Sequence, residues 1–165
     1  MFYQRVLKKL IERNVKFAVA GGVALVMHGV IRFTADLDLI VDLKTDNLKA
    51  FIKAMEELKF RPRIPVNLYD LLDAEKRSVW INEKNMIAFT LYNPEHQIEE
   101  IDILIKEFIP FEELAEEIEW MTVKDMKIPV ISRRHLKRLK GLSGRAQDMS
   151  DLKALEALEG IEDEE

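Results

Sequence analysis

Residues 21–41 read GGVALVMHGVIRFTADLDLIV, the most informative stretch of the sequence. Residues 15–20 before it, apolar except for Lys16, predict a buried strand, which Gly21-Gly22 ends because glycine permits turns that other residues disfavour. Residues 23–28 have the length and composition of a short helix. The stretch therefore predicts a strand, a glycine turn and a helix whose first amides face an anion such as a triphosphate.

Two carboxylates share one face of the next predicted strand, residues 34–41. Side chains alternate across a strand, so Asp36 and Asp38 lie on one face while apolar side chains lie on the other. At about 4 Å two carboxylates repel by about 1 kcal/mol in water and about 4 kcal/mol at an effective dielectric constant of about 20. A hard divalent cation bound through oxygen removes that cost, so the pattern points to a metal site.

A third carboxylate lies on a later predicted strand, residues 100–105. Three isoleucines of this strand point one way and Asp102 points the other way. Glu99 and Glu100 are alternative third ligands, but Asp102 alone has apolar neighbours on both sides. An inward carboxylate on an apolar strand is costly without a cation, which favours Asp102.

The order of these features resembles the nucleotidyltransferase superfamily of the DNA polymerase beta type. In that pattern a Gly-Gly or Gly-Ser pair precedes an Asp-hydrophobic-Asp pair, and a third Asp follows on a later strand. The chain is more closely similar to the small nucleotidyltransferases related to abortive-infection toxins, in which Arg-x-Thr-x-Asp-x-Asp, here Arg32 to Asp38, is typical. Lys140, the segment 144–148 and Asp151-Leu152 also resemble that group.

The resemblance implies transfer of NMP from an NTP to a hydroxyl group, with two Mg²⁺ (or Mn²⁺) ions and release of pyrophosphate. Asp36 and Asp38 would bridge the two ions, and Asp102 would hold one ion and take the proton of the acceptor hydroxyl. The expected nucleotide-binding residues are Gly21, Gly22, Arg32, Thr34, Lys140 and Arg145.

Each feature also has an ordinary structural explanation. A glycine pair is often only a tight connection, and Asp-x-Asp is often a solvated strand end or a cap. Asp148 and Asp151 are expected to cap the last helix or to pair with Arg145. Most cations of residues 133–145 are expected on a solvated face, with a role in docking RNA as the alternative.

The expected partners are an NTP, an acceptor (RNA such as tRNA, a protein or a small molecule) and a toxin or antitoxin partner protein. The alternative hypothesis is a catalytically silent module of the same fold, which acts by binding a nucleotide or by docking to such a partner. The sequence names neither the base nor the acceptor.

The composition limits the class of protein. The chain has 165 residues and a net charge of −5, which predicts one compact unit and disfavours broad coating of nucleic acid. It has no cysteine, which excludes disulfides and thiolate metal sites. The longest apolar run, residues 17–31, is shorter than the roughly 18 to 20 residues of a bilayer span, and the N-terminus does not resemble an export signal. We therefore expect a cytoplasmic protein without a membrane span.

The alternation of strands and helices predicts an α/β (α+β) fold, with a mixed sheet flanked by helices. Residues 1–131 are expected to form a nucleotidyltransferase-like catalytic domain, and residues 132–165 a helical extension packed on it. Ser132 is expected to cap a helix, and Gly141 and Gly144 to lie in the following loop. The other predicted elements are helices ending near residues 14, 58, 80 and 118, strands at 86–92 and on both sides of 124–125, and a final helix.

Overall fold

The computed structural model describes residues 2–165; Met1 lies outside the described residues. These residues form seven α-helices, one 3-10 turn at Leu68–Leu72 and a seven-stranded mixed sheet. The helices are α1 (Phe2–Glu12), α2 (Gly21–Met27), α3 (Thr45–Glu57), α4 (Ala74–Lys84), α5 (Phe111–Glu116), α6 (Arg133–Ser143) and α7 (Ala146–Glu164). The strands are β1 (Phe17–Ala20), β2 (Leu37–Val41), β3 (Arg61–Pro62), β4 (Ala88–Asn93), β5 (His96–Leu104), β6 (Glu119–Val123) and β7 (Met126–Val130).

The sheet has the strand order β3-β4-β5-β2-β1-β7-β6. Strand β2 is parallel to β5, and β1 is parallel to β7, while the other neighbours are antiparallel. The predicted mixed sheet with flanking helices is therefore confirmed. The central strands β5, β2 and β1 stand side by side, which places the segments with the predicted site residues next to one another.

The predicted strand, glycine turn and helix are present as β1 and α2. All four residues of β1 are buried, which explains its unbroken apolar sequence. The glycines differ from the expectation in one respect, because they are the first residues of α2 rather than a turn before it. Gly21 has a φ of 58°, a left-handed conformation that glycine adopts without strain.

Strand β2 is shorter than predicted. It begins at Leu37, so Asp38 lies within the strand and Asp36 lies in the loop before it. The prediction that both aspartates occupy one strand face was therefore wrong for Asp36. Strand pairing explains the limit, because the pairing of β2 with β1 reaches only Asp38 and its pairing with β5 begins at Leu37 and Ile101.

One hydrophobic core joins the sheet to the helices. The core face of the sheet carries alternate side chains of the central strands, and α3 contributes Phe51, Ile52 and Met55 to the same buried cluster. Leu136 of α6 and Leu155 of α7 also belong to it. The opposite face of β2 and β5 carries the half-buried Asp38 and Asp102.

Helix α6 follows the predicted signals with one exception. The Ser132 hydroxyl accepts a hydrogen bond from the His135 N–H and caps α6, as predicted. Gly144 ends α6 with a φ of 64°. Gly141, which was expected in the loop, lies inside α6, because the helix continues until a left-handed residue stops it.

Within residues 2–165, no helix is both long enough and apolar enough to cross a membrane.

Candidate active site

Asp38 and Asp102 stand beside each other on neighbouring strands. They are register partners in the parallel pairing of β2 and β5. Side chains of register partners point to the same face of a sheet, so both carboxylates project from the face opposite the core. The topology thus brings together two residues that are 64 positions apart in the sequence.

Asp36 completes the group from the loop before β2. Burial and then the charge of Asp102 raise the pKa of Asp36. Besides burial, the charges of Asp102 and Asp36 raise the pKa of Asp38. Tyr3 of α1 orders this loop, because its hydroxyl donates a 3.0 Å hydrogen bond to the carbonyl oxygen of Thr34. The three predicted carboxylates therefore lie within electrostatic reach of one another.

Asp38 has the most perturbed carboxyl group of the three. Burial and then the neighbouring charge of Asp102 raise its pKa from 3.8 to about 7. The Lys140 charge and the Gly22 N–H, which donates to the carboxylate, oppose this rise. Near neutral pH, full ionisation of the three carboxylates is therefore unfavourable unless a cation balances their charge.

Asp102 is oriented by a hydroxyl group of the next strand. Thr90 is its register partner in β4, and the Thr90 Oγ1 donates a 2.6 Å hydrogen bond to the Asp102 Oδ1. Burial raises the pKa of Asp102, while this hydrogen bond and the Arg145 charge lower it. Thr90 therefore fixes the orientation of the Asp102 carboxylate through its Oδ1 atom.

The rival third ligands are bound to arginines. Glu99 lies 2.8 Å from Arg5, and Glu100 pairs with Arg63. Glu100 nonetheless lies close enough to raise the pKa of both Asp36 and Asp102. Of the three acidic residues considered for this place, Asp102 is the register partner of Asp38.

The two glycines leave room for the carboxylates and for the loop. A Cβ on Gly21 would lie 2.6 Å from the Asp38 Cγ, so any side chain there would overlap the carboxyl group. A Cβ on Gly22 would lie 2.6 Å from the Thr34 Oγ1. The glycine pair thus permits α2 to pack directly against the aspartate segment, a reason that the sequence pattern alone did not reveal.

Two buried aspartates of α7 hold the three predicted phosphate-binding cations. Asp151 accepts hydrogen bonds from Arg32 at 2.6 Å and from Lys140 at 2.9 Å. Asp148 accepts from Lys140 at 3.0 Å and from Arg145 at 2.8 Å. The predicted pairing of Asp148 with Arg145 is confirmed, but neither aspartate caps α7, whose N-cap is Arg145.

This cluster extends from α6 and α7 to the loop before β2. Lys140 is only 8% exposed, and Asp148 and Asp151 are 1% and 3% exposed. The Lys140 charge lowers the pKa of Asp38, and the Arg145 charge lowers the pKa of Asp102. The cluster of three cations and two anions therefore lies beside the three carboxylates.

The other cations of α6 do not form a free basic surface. Each is bonded to a glutamate of a neighbouring segment, and the pairs are Arg133–Glu162, Arg134–Glu117, Lys137–Glu159 and Arg138–Glu113. Because these glutamates balance the positive charges, the exposed face of α6 attracts a polyanion only weakly. The structure therefore favours the solvated-face interpretation over RNA docking at α6.

The carboxylates fit a magnesium or manganese ion in donor type and in charge. Oxygen ligands are those that these hard ions prefer, and the raised pKa of Asp38 marks negative charge that a cation would balance. Across residues 2–165, no three His, Cys, Asp or Glu side chains are already arranged to hold a metal ion. If a metal binds here, Asp36, Asp38 and Asp102 would hold it.

Sequence reasoning missed Thr90 and Tyr3. Thr90 lies between the buried Phe89 and Leu91, and a polar residue between apolar neighbours is the same signal that identified Asp102. Tyr3 gave no such signal, because it is 31 residues from its partner Thr34 and sits on an amphipathic helix.

We expect the metal-free Asp38→Asn variant to be more stable than the wild type at pH 8, by on the order of 2 to 4 kcal/mol. The reason is that the folded pKa of about 7 lies above the ordinary 3.8, so the folded state binds the proton more tightly than the unfolded state. The contribution of Asp38 to the free energy of unfolding of the wild type therefore falls as the pH rises from about 4 to about 7. Urea unfolding with a chelator present, at pH 4 and at pH 8, measures the difference.

The difference should vanish at pH 4, where Asp38 is protonated in the folded protein. Asp125→Asn, in the exposed turn between β6 and β7, is the control and should change stability by less than about 0.5 kcal/mol at either pH. Equal stability of Asp38→Asn and the wild type at pH 8 would contradict the crowding of charge inferred here.

The chain matches the model of one protein family. The model of the family described as nucleotidyl transferase AbiEii toxin, type IV toxin–antitoxin system, matches residues 5–164. No curated protein matches the chain in sequence.

Solved structures share the fold. The lincosamide antibiotic adenylyltransferase LnuA, with lincomycin bound, is 20% identical over 94% of this chain and 93% of its own, with a TM-score of 0.59. A candidate nucleotidyltransferase from Thermotoga maritima is 16% identical over 92% and 91%, with a TM-score of 0.57. ANT(2″)-Ia, in complex with adenylyl-2″-tobramycin, is 13% identical over 98% and 90%, also with a TM-score of 0.57. At these identities the likeness shows a shared fold.

Proposed function

Since the chain belongs to the AbiEii family of nucleotidyl transferases, we propose that it transfers NMP from an NTP to a hydroxyl acceptor in a reaction that depends on magnesium or manganese. The observation that carries the proposal is the register of Asp38 with Asp102, beside Asp36, on the open face of the sheet. The raised pKa of Asp38 supports it, because a carboxyl group perturbed by burial and by neighbouring carboxylates is typical of a functional site.

In the proposed reaction the acceptor oxygen forms a bond to the α-phosphorus, and the bond between that phosphorus and the bridging oxygen of the pyrophosphate breaks. Asp102, oriented by Thr90, accepts the proton of the acceptor hydroxyl. Metal bound by the three aspartates would stabilise the negative charge that develops on the transferred group. Pyrophosphate leaves with the electron pair of the broken bond.

The triphosphate is proposed to lie on the side of Asp38 that faces α2, α6 and α7. Ala20, the N-cap of α2, makes no side-chain hydrogen bond to the first turn. The Gly22 N–H donates to Asp38, so the other amides of this turn are the ones proposed to bind phosphate oxygens. The other proposed nucleotide-binding residues are Gly21, Gly22, Arg32, Thr34, Lys140 and Arg145. Arg145 is the most exposed of the three cations and is therefore assigned to the departing pyrophosphate.

The family description also supports a role as the toxin of a toxin–antitoxin pair, with an antitoxin as its partner. The acceptor, whether tRNA, another RNA, a protein or a small molecule, is not named by the family, and the cytoplasmic location stays a prediction. The competing hypothesis is a catalytically silent module that only binds a nucleotide or a partner. NTP binding by the wild type without any detectable transfer would favour it.

We expect one or more of the four NTPs to raise the melting temperature of the wild type by roughly 5 to 10 °C when magnesium is present. A ligand at 100 times its Kd stabilises by about 2.7 kcal/mol, and for a domain of this size each kcal/mol shifts the midpoint by about 2 to 4 °C. Differential scanning fluorimetry with each NTP, with magnesium or with a chelator, measures the shift. The Asp36→Asn/Asp38→Asn double variant is the control and should lose the magnesium-dependent part. Absence of a shift with all four NTPs would contradict the proposal.

A further inference from the structure

An arginine stacked on a tyrosine lies on the same sheet face as Asp102. The Arg63 Cζ is 4.1 Å from the centre of the Tyr92 ring, which is a cation–π contact. Arg63 directly follows the short edge strand β3, and Tyr92 belongs to β4. None of the roles assigned above uses this pair.

The arginine is held in place while its outer surface stays accessible. Its guanidinium pairs with Glu100 and donates a 3.3 Å hydrogen bond to the Gln97 carbonyl oxygen. Its backbone N–H donates a 2.9 Å hydrogen bond to the Thr90 carbonyl oxygen. The side chain is 39% exposed. The result is an oriented planar cation with a tyrosine ring beneath it.

Strand register fixes the position of this stack relative to Asp102. Thr90 pairs with Asp102, and Tyr92 pairs with Glu100, so the stack lies two residues along the strands from Asp102. Two residues of a strand span about 7 Å, which is about the extent of one nucleoside from its base to its ribose hydroxyl.

The strand order separates the Arg63–Tyr92 stack from the proposed binding site of the NTP triphosphate. Strand β5 lies between β2 and β4, whereas β1, which leads into α2, lies on the other side of β2. The proposed triphosphate-binding glycines follow β1, and Arg32 and Thr34 lie beside them, whereas the Arg63–Tyr92 stack is on the β4 side. Asp102, the proposed proton acceptor, lies between the two.

We propose that the Arg63–Tyr92 stack is the acceptor subsite and that the acceptor is a nucleoside, whose base stacks there while its ribose hydroxyl reaches Asp102. Guanidinium planes and aromatic rings are the surfaces on which proteins stack bases without requiring a particular sequence. This inference rests on the proposed function. The acceptor is either a free nucleoside or the 3′-terminal nucleoside of an RNA, and the test separates these two sources.

The test compares acceptors that differ in one base. A single-stranded RNA tetramer, the same tetramer with an abasic 3′-terminal residue, and free adenosine are each incubated with magnesium and the labelled NTP that gives the largest thermal shift. We expect the intact tetramer to show a KM about tenfold lower than the abasic tetramer, because stacking of one base corresponds to about five- to 150-fold in affinity. Labelling of adenosine at a comparable KM would identify the free nucleoside as sufficient.

Variants of Arg63 test the residue itself. Arg63→Ala should raise the KM for the intact tetramer about tenfold and abolish the preference over the abasic one, with the NTP-induced thermal shift unchanged. Arg63→Lys keeps the charge but loses the plane, so it should resemble Arg63→Ala. Arg13→Ala removes a comparably exposed arginine that pairs with Glu57 between α1 and α3, and it should leave both KM values unchanged.

The outcomes distinguish this inference from the proposed function. Absence of any NTP-induced shift in the wild type overturns the proposed function and this inference with it. A normal shift combined with no labelling of RNA or adenosine, with equal use of the abasic tetramer, or with an unchanged KM in Arg63→Ala overturns the acceptor subsite alone.

Discussion

The Asp38→Asn variant is expected to lose nucleotidyl transfer by at least about a thousandfold, the largest effect expected from any single substitution in this protein. Asp38 is the central carboxylate, with Asp36 before it in the chain and Asp102 beside it on β5. Stabilisation of charge on a transferred phosphoryl group by bound metal is worth several kcal/mol, and each 1.36 kcal/mol corresponds to tenfold in rate. Asparagine has nearly the same shape but cannot supply the negative charge.

The measurement is single-turnover transfer of labelled NMP, with the wild type and the variant at saturating magnesium. Asp36→Asn and Asp102→Asn should show losses of the same order, whereas Asp125→Asn in the β6–β7 turn should retain full activity. Unfolding cannot account for the loss, because metal-free Asp38→Asn is expected to be the more stable protein at pH 8. Full activity of Asp38→Asn would overturn the assignment of the site.

Local patterns were sufficient to predict most of the fold. The unbroken apolar run of β1 and the alternation in β5 produced strands, because burial on both faces or on one face fixes those patterns. Ser132 and Gly144 marked the start and end of α6, because their capping geometry is local. Their side chains and torsions act within a few residues, so sequence spacing reveals them.

Features that depend on partners distant in the chain were less accessible. The start of β2 depends on its pairing with β5, which begins at Leu37 and Ile101, so alternation alone extended the strand too far and included Asp36. The helix predicted to end near residue 80 is in fact a 3-10 turn followed by α4, which begins after the capping residue Asp73. The edge strand β3 has only two residues, too few for any periodic pattern.

The candidate site divides in the same way. The glycine pair, Asp38 and Asp102 were found because their order and their apolar neighbours are visible in the sequence. The pairing of Asp148 with Arg145 was predicted, but the contacts of Asp148 and Asp151 with Lys140 and Arg32 were not visible, since those cations come from other segments. An aspartate near the start of a helix is most simply interpreted as a cap, and tertiary structure overrides that interpretation here.

Loss of the Asp151 carboxylate is expected to destabilise the protein by about 3 to 5 kcal/mol. Asp151 is 3% exposed and accepts hydrogen bonds from Arg32, Lys140 and Gln147 at 2.6, 2.9 and 3.1 Å. Removal of one partner from a buried ion pair leaves the other charge without compensation, which is more costly than never having buried the pair. In Asp151→Ala the buried Lys140 keeps only Asp148 as its anionic partner.

Urea unfolding of Asp151→Ala measures this loss, with Asp163→Ala as the control on the same helix. Asp163 is exposed near the end of α7, and its removal should change stability by less than about 0.5 kcal/mol. The more conservative Asp151→Asn keeps the shape and one acceptor oxygen, and it should fold well enough for an activity measurement.

A merely structural cluster and one that positions catalytic cations differ in what Asp151→Asn does to the NTP. If Asp151 holds Arg32 and Lys140 for the triphosphate, the variant loses much of the NTP-induced thermal shift, because those cations are no longer oriented beside Asp38. If the cluster only joins α6, α7 and the loop before β2, the variant melts at a lower temperature but shows the full shift. A stability loss below 1 kcal/mol in Asp151→Ala would contradict both, since it would place these ion pairs in the range of exposed surface pairs.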